Sequence, residues 1–238
     1  MNESYNLNTI GFDNPELYEK ALVIANQFNF NIDNQVLPRL SLTQDKLVLL
    51  TNDFLPLFVD FNNQSLQKRL QAGKKQGLIR ACKPAKGIKI LDVTAGWGRD
   101  AALLASYGAD VLMLERQPMM VALLADALGR IHSNVGSNLS LLHIDAKHYL
   151  QSLSEENYPD VIYIDPMHPV RLKSALVKKD MQVLQQLIGA DDDVFALTEL
   201  ALLRVRDRVV VKWPQRLTAL KEPHSSIPGT TVRFDIYL

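Results

Sequence analysis

From about Lys86 onward, short apolar runs alternate with segments of helical period, and the first four runs each end at or beside a carboxylate. The runs are Ile88–Val93, Val111–Leu114, Leu139–Ile144, Val161–Ile164 and Val209–Val211; the intervening helical stretches are Arg99–Ser106, Met119–Ile131, Lys147–Leu153, Ser174–Ile188 and Val194–Val205. Runs this short and this apolar make strands buried on both faces, and strands joined through helices must lie parallel. The pattern therefore predicts an α/β fold built on a doubly wound, mostly parallel sheet. The closing segment Thr231–Tyr237 alternates apolar and polar residues and predicts a half-exposed strand, pairing antiparallel at one edge.

The first eighty-odd residues follow another pattern. A helix is expected over Pro15–Phe28, then short strands near Val36–Leu42, Lys46–Thr51 and Leu57–Asp60. The turn-forming stretch Lys83-Pro84-Ala85-Lys86-Gly87 sets a boundary between an α+β appendage over residues 1–83, a candidate recognition or lid element, and a main domain over 84–238. A length of 238 residues with 47% hydrophobic content suits one large soluble domain with such an appendage. The single cysteine, Cys82, leaves no internal disulfide and no multi-cysteine zinc site, as in a reducing compartment. The polar start Met1–Asp13 lacks a signal-peptide layout, and no apolar stretch approaches a membrane span. A cytoplasmic protein is expected.

The acids at the strand ends carry the chemistry. Asp92, Glu115, Asp145 and Asp165 would line one edge of the sheet, the carboxyl edge, where open α/β folds hold their ligands. After the first strand, Gly96-Trp97-Gly98-Arg99-Asp100-Ala101 matches a dinucleotide pattern with alanine in third place. Trp97 is large for a loop that wraps a pyrophosphate, and Asp100 would repel one. A phosphate-free ligand with a sulfonium and an ammonium, S-adenosylmethionine, suits those residues better. Glu115 fits the ribose of either cofactor. Asp145 either accepts from an adenine amine or caps the helix that opens at Ala146, and the sequence leaves both open.

The loop Asp165-Pro166-Met167-His168-Pro169 follows the most apolar strand. Its prolines fix φ and remove backbone donors, leaving a carboxylate and carbonyls in a stiff segment. Such a loop can accept hydrogen bonds from an exocyclic amine. Net charge is zero, yet residues 61–91 hold eight basic residues and no acid, Lys74 and Lys75 among them. A second acid-free patch, Arg171, Lys173, Lys178 and Lys179, follows the proline loop. Either patch is a solvated helix face or a hold on a polyanion. The histidines His132, His143, His148 and His224 have no metal-site spacing, and no metal is expected.

Taken together, Asp92–Asp100, Met113-Leu114-Glu115-Arg116, Asp165–Pro169, Lys173–Lys179 and Arg233–Tyr237 resemble one family. It is that of the bacterial small-subunit (16S) ribosomal RNA guanine-N2 methyltransferases, the RsmJ type. The resemblance runs from about Ile88 to the C-terminus. It implies a class I S-adenosylmethionine-dependent methyltransferase fold, a Rossmann-like seven-stranded sheet with a C-terminal antiparallel strand. It also implies methylation of a guanine N2 in 16S ribosomal RNA or the small ribosomal subunit. Cofactor contacts would fall at Arg99, Asp100, Glu115, Arg116, Asp165 and the segment Asp145-Ala146, to which the strand-end and glycine-loop readings add Asp92, Gly96 and Gly98. Asp165, Pro166 and His168 would serve the reaction, with Lys74, Lys75, Arg171, Lys173, Lys178 and Lys179 on RNA. The chain departs from the family at His168, where Phe is usual, and at His143-Ile144-Asp145-Ala146, where serines are. Open alternatives are an amino-methyltransferase for another RNA, DNA, protein or small molecule, a nicotinamide oxidoreductase, and a non-catalytic RNA-binding protein.

Overall fold

The computed structural model describes residues 8–52, 54–131, 138–167 and 193–238. Among these the chain divides into two compact units: residues 8–60 with Gln117–Arg130, and the remainder. The segment from Phe61 to Lys83, assigned to the appendage on sequence, therefore groups with the second unit.

In the first unit, β1 (Thr9–Phe12) precedes a 3-10 turn, Pro15–Leu17, that runs into α1 (Tyr18–Phe28). The Asn14 side chain accepts from the Glu16 N–H at the start of that turn, and Asn29 ends the helix in the left-handed region. Strands β2 (Asn31–Ile32), β3 (Arg39–Leu42) and β4 (Leu47–Leu50) complete a sheet of order β2-β1-β3-β4. The strand expected over Leu57–Asp60 is reduced to one bridge between Leu57 and Leu49. Pro56 has no donor to extend that ladder, and Leu55 before it is exposed.

The second unit opens with α2 (Gln64–Gln71) and α3 (Gly77–Cys82), neither of which the charge pattern of this stretch announces. Asn63 caps α2, accepting from the Leu66 N–H. Then follow β5 (Lys89–Asp92), α4 (Arg99–Ser106), β6 (Asp110–Glu115), α5 (Pro118–Gly129), β7 (Leu139–His143), α6 (Ala146–Ser152), β8 (Val161–Ile164), α7 (Val194–Leu202), β9 (Arg208–Pro214), β10 (Ser225–Pro228) and β11 (Val232–Tyr237). Of these α5, with its buried Met119 and Met120, belongs to the first unit. The helix expected over Ser174–Ile188 lies outside the described residues.

The seven-stranded sheet has the order β10-β11-β9-β8-β5-β6-β7. Strands β5 to β9 are parallel, as expected for runs buried on both faces. The final strand departs from expectation in two respects. β11 is not the edge; it pairs antiparallel with β9 on one side and β10 on the other. Its last four residues, Phe234 to Tyr237, are buried, not half-exposed. The acid in that stretch is neutralised: Asp235 accepts from Arg233 Nε at 2.8 and 3.0 Å and from the Ser226 hydroxyl on β10. β10, with one apolar residue among four, has no pattern to announce it. Among the described residues, no helix is long and apolar enough to cross a membrane.

Candidate active site

The register of the sheet gathers the acids. Asp92 pairs with Met113 on β6 and Tyr163 on β8, and Glu115 pairs with His143 on β7. These pairings bring Asp92, Glu115, Asp145 and Asp165 to the carboxyl edge of the parallel strands. A cavity of about 260 Å³ lies at the other end, where Lys89, Asp110 and Leu139 begin their strands and Pro159 precedes β8; it is not the acid-lined site.

The loop after β5 is shaped by two glycines in the left-handed region, Gly96 (φ 51°) and Gly98 (φ 66°), a conformation costly for any residue with a Cβ. Glu115 Oε2 accepts from the Gly96 N–H at 3.2 Å, so the acid of β6 braces the glycine loop. Trp97 is buried in that loop, and the Arg99 guanidinium lies 6.0 Å from its ring centre. Arg116 is exposed, 4.0 Å from Asp145. Asp145 is the cap of α6: its Oδ1 accepts from the Lys147 N–H at 2.9 Å and the His148 N–H at 3.3 Å. Of the two roles open to Asp145, the cap is the one present in the fold. Ala146 is buried behind it.

Asp100 and Asp165 sit in a charge cluster that sequence reasoning missed. Asp100 Oδ1 meets Arg69 Nη1 of α2 at 2.7 Å. Its Oδ2 accepts from the Tyr163 hydroxyl at 2.7 Å and from Lys212 Nζ at 3.1 Å. Lys212 Nζ also donates to Asp165 Oδ2 at 2.7 Å. The negative charge that argued against a phosphate ligand is thus matched inside the protein. Arg69, counted in the acid-free basic run, is turned inward to supply part of that match. Burial works against the Asp100 carboxylate, but Lys212, Arg69 and the Tyr163 hydroxyl outweigh it and hold the group well below the usual carboxylate range. Asp165 is pushed up, by burial and by Asp100, against the pull of Lys212. Lys212 stays protonated: burial disfavours its charge, and Asp100 and Asp165 more than restore it.

The Asp165 backbone is pinned as well. Its N–H donates to Thr94 Oγ1 at 2.7 Å, and Thr94 is in turn held by Asp92, whose Oδ1 accepts from the Thr94 N–H at 3.0 Å. Pro166 is buried after it. His168, Arg171, Lys173, Lys178 and Lys179 lie outside the described residues; Lys74 and Lys75 are exposed on the turn that follows α2.

The family model for SAM-dependent methyltransferases matches residues 23–238. A ribosomal RNA small subunit methyltransferase J from Legionella pneumophila (strain Corby) is 57% identical over 234 residues, 98% of this chain and 96% of the relative. The chain belongs to the ribosomal RNA small subunit methyltransferase J family. A member of that family from Coxiella burnetii (strain Dugway 5J108-111) is 45% identical over 77% of this chain and 75% of its own. A solved SAM-dependent methyltransferase from Neisseria gonorrhoeae superposes with a TM-score of 0.74 at 26% identity, covering 97% of this chain and 95% of that one. Membership in the methyltransferase J family closes the nicotinamide reading that the glycine loop had left open. The sheet order is that of a class I methyltransferase, and the residues present fit its cofactor. A glycine loop braced by the Glu115 carboxylate favours a cationic ligand over a phosphate.

Asp92 has a consequence for stability in this methyltransferase J family member. It is 1% exposed, and burial, with Asp100, Asp165 and Glu115 nearby, raises its pKa to about 8 despite the Thr94 N–H. An unfolded aspartate ionises near pH 4. Between those values the unfolded chain binds fewer protons than the folded one, so stability falls as pH rises, by up to about 1.4 kcal/mol per pH unit. The decline ends above about pH 8, where both states have lost the proton. Asp92→Asn keeps the acceptor for Thr94 without a titration, so its melting temperature should fall less than the wild type's between about pH 5 and pH 8. Parallel melting curves for the two proteins would refute a buried, neutral Asp92.

Proposed function

We propose that this chain transfers a methyl group from S-adenosylmethionine to the exocyclic N2 of a guanine in 16S ribosomal RNA. The observation that carries the reading is the fixing of Asp165 at the carboxyl end of β8, by Thr94 through its amide and Lys212 through its carboxylate, in a chain so close to relatives named for small-subunit ribosomal RNA methylation. When bound, S-adenosylmethionine supplies a methyl group made electrophilic by its sulfonium. Gly96, Gly98, Glu115 and Arg116 would hold it, with Asp92, Arg99, Asp100, Asp145 and Ala146 shaping the surround. The guanine N2 lone pair is delocalised into the ring and is a poor nucleophile. Asp165 and the Pro166 carbonyl would accept its N–H groups and stabilise the positive charge that grows on nitrogen. Holding the two reactants in line contributes roughly 7–11 kcal/mol more. His168 would stack on the extruded base. Lys74, Lys75, Arg171, Lys173, Lys178 and Lys179 would meet phosphates, so that RNA binding weakens with salt. The same reading puts the enzyme in the cytoplasm with its ribosomal substrate.

The test uses 16S ribosomal RNA or small subunits from cells lacking this protein, incubated with the purified enzyme and radiolabelled S-adenosylmethionine and digested to nucleosides. Label in N2-methylguanosine is the expected result. Label confined to another nucleoside, or none in either substrate, would overturn the guanine assignment and leave the methyltransferase fold standing.

A further inference from the structure

We propose that Lys212 is a positioning residue for the reaction, holding the Asp165 carboxylate ionised and aimed as the acceptor of the substrate amine. The inference rests on the reading that Asp165 receives that amine.

Lys212 stands in a strand that has little other use for a charge. Its neighbours Val209, Val210 and Val211 are fully buried and Trp213 nearly so. An ammonium among such residues is costly unless it is paired. The pairing of Ile164 with Val211 places the next residues of the two parallel strands, Asp165 and Lys212, side by side. Nζ then bridges Asp165 Oδ2 at 2.7 Å and Asp100 Oδ2 at 3.1 Å. Asp100 does not depend on Lys212 alone, because Arg69 and the Tyr163 hydroxyl also bind its two oxygens. Among the described residues Asp165 has no such alternative: its amide bonds to Thr94, and Lys212 is the cation at its carboxylate. Lys212 therefore matters most to Asp165, and Asp100 serves as the anchor that keeps Nζ in place.

The groups around Asp165 show what its loss would do. Lys212 faces it from β9, Asp100 from α4, Arg69 from α2 and Asp92 from β5, with Tyr163 on its own strand. Without Lys212, burial and the Asp100 charge both favour a proton on Asp165, opposed by Arg69. A protonated carboxyl donates from one oxygen and no longer offers a carboxylate to an amine N–H. A purely structural role, clipping β8 to β9, would leave this protonation untouched, since the ladder of parallel backbone bonds already joins those strands.

The experiment is methyl transfer to the RNA substrate of the wild-type enzyme, with Lys212→Met and Lys212→Arg alongside, from about pH 5.5 to about pH 9. In Lys212→Met the acid limb of kcat should move up by about 1–3 pH units, the usual effect of removing an opposite charge at contact distance. At neutral pH kcat should fall and on the alkaline side recover, with KM for RNA changed less than about threefold. Lys212→Arg should return the limb toward its wild-type position. An unmoved limb, or an equal loss of kcat at every pH, overturns the proposal. Should the Met variant not fold, Lys212→Gln takes its place in the pH series, where a raised limb supports the role and an unmoved one overturns it. A wild-type enzyme that leaves guanine N2 unmethylated removes the underlying reading; a wild type that methylates it, beside variants with an unmoved limb, removes only the role of Lys212.

Discussion

Asp165→Ala should lower methyl transfer by about 10²–10³-fold while RNA affinity changes less than about threefold. The two halves of this expectation have separate causes. The rate depends on an acceptor placed where charge grows on the amine nitrogen, and such preorganised groups contribute about 10²–10³-fold each. On the proposed reading Asp165 would fill that role from a backbone held by Thr94, and truncation would leave a gap that water fills without fixed orientation. RNA affinity, by contrast, would come on the same reading mainly from phosphate contacts by basic residues other than Asp165. Asp165→Asn keeps one acceptor oxygen and lacks the charge, so it should fall between wild type and alanine. Single-turnover transfer and filter-binding affinity for the same RNA check both parts. An alanine variant within about tenfold of wild-type turnover would take Asp165 out of the chemistry.

Asp100→Ala should cost about 3 kcal/mol, the low end for a broken buried ion pair, since Arg69 and Lys212 keep 33% and 26% of their side chains in contact with water. The cost comes from what is left behind. Two cations and the Tyr163 hydroxyl lose their shared partner, and Tyr163 itself is fully buried. For a chain of this length that corresponds to a fall in melting temperature of roughly 6–12 °C. Activity should fall as well, because Lys212 would keep only Asp165 to hold. The check is a melting curve at neutral pH with and without high salt. A shift below about 2 °C would mean that water already satisfies these charges.

The elements of the methyltransferase sheet were legible because their signals are local. Val161–Ile164 and Arg99–Ser106 match their expected bounds, since a run of β-branched and aromatic residues or a helical period is contained within a few positions. β10 was not legible: Ser225–Pro228 is held by pairing with β11 and carries no apolar pattern of its own. For the same reason β11 looked like an edge. Its polar members Arg233 and Asp235 satisfy one another, and the Ser226 hydroxyl that completes the set belongs to the strand that could not be seen.

The site divides along the same line. Sequence alone determined that four carboxylates would end neighbouring strands and that a glycine loop would open the first crossover helix, because strand ends and turn residues are read from adjacent positions. Only the tertiary structure decided what those carboxylates touch. Lys212 lies 47 residues from Asp165, and Tyr163 lies 63 residues from Asp100. Arg69 reaches Asp100 from a helix that the charge pattern had cast as a surface patch. Such pairings follow from sheet order, strand register and helix packing, and a burial cost that forces a charge to find its partner has no signature in the residues beside it.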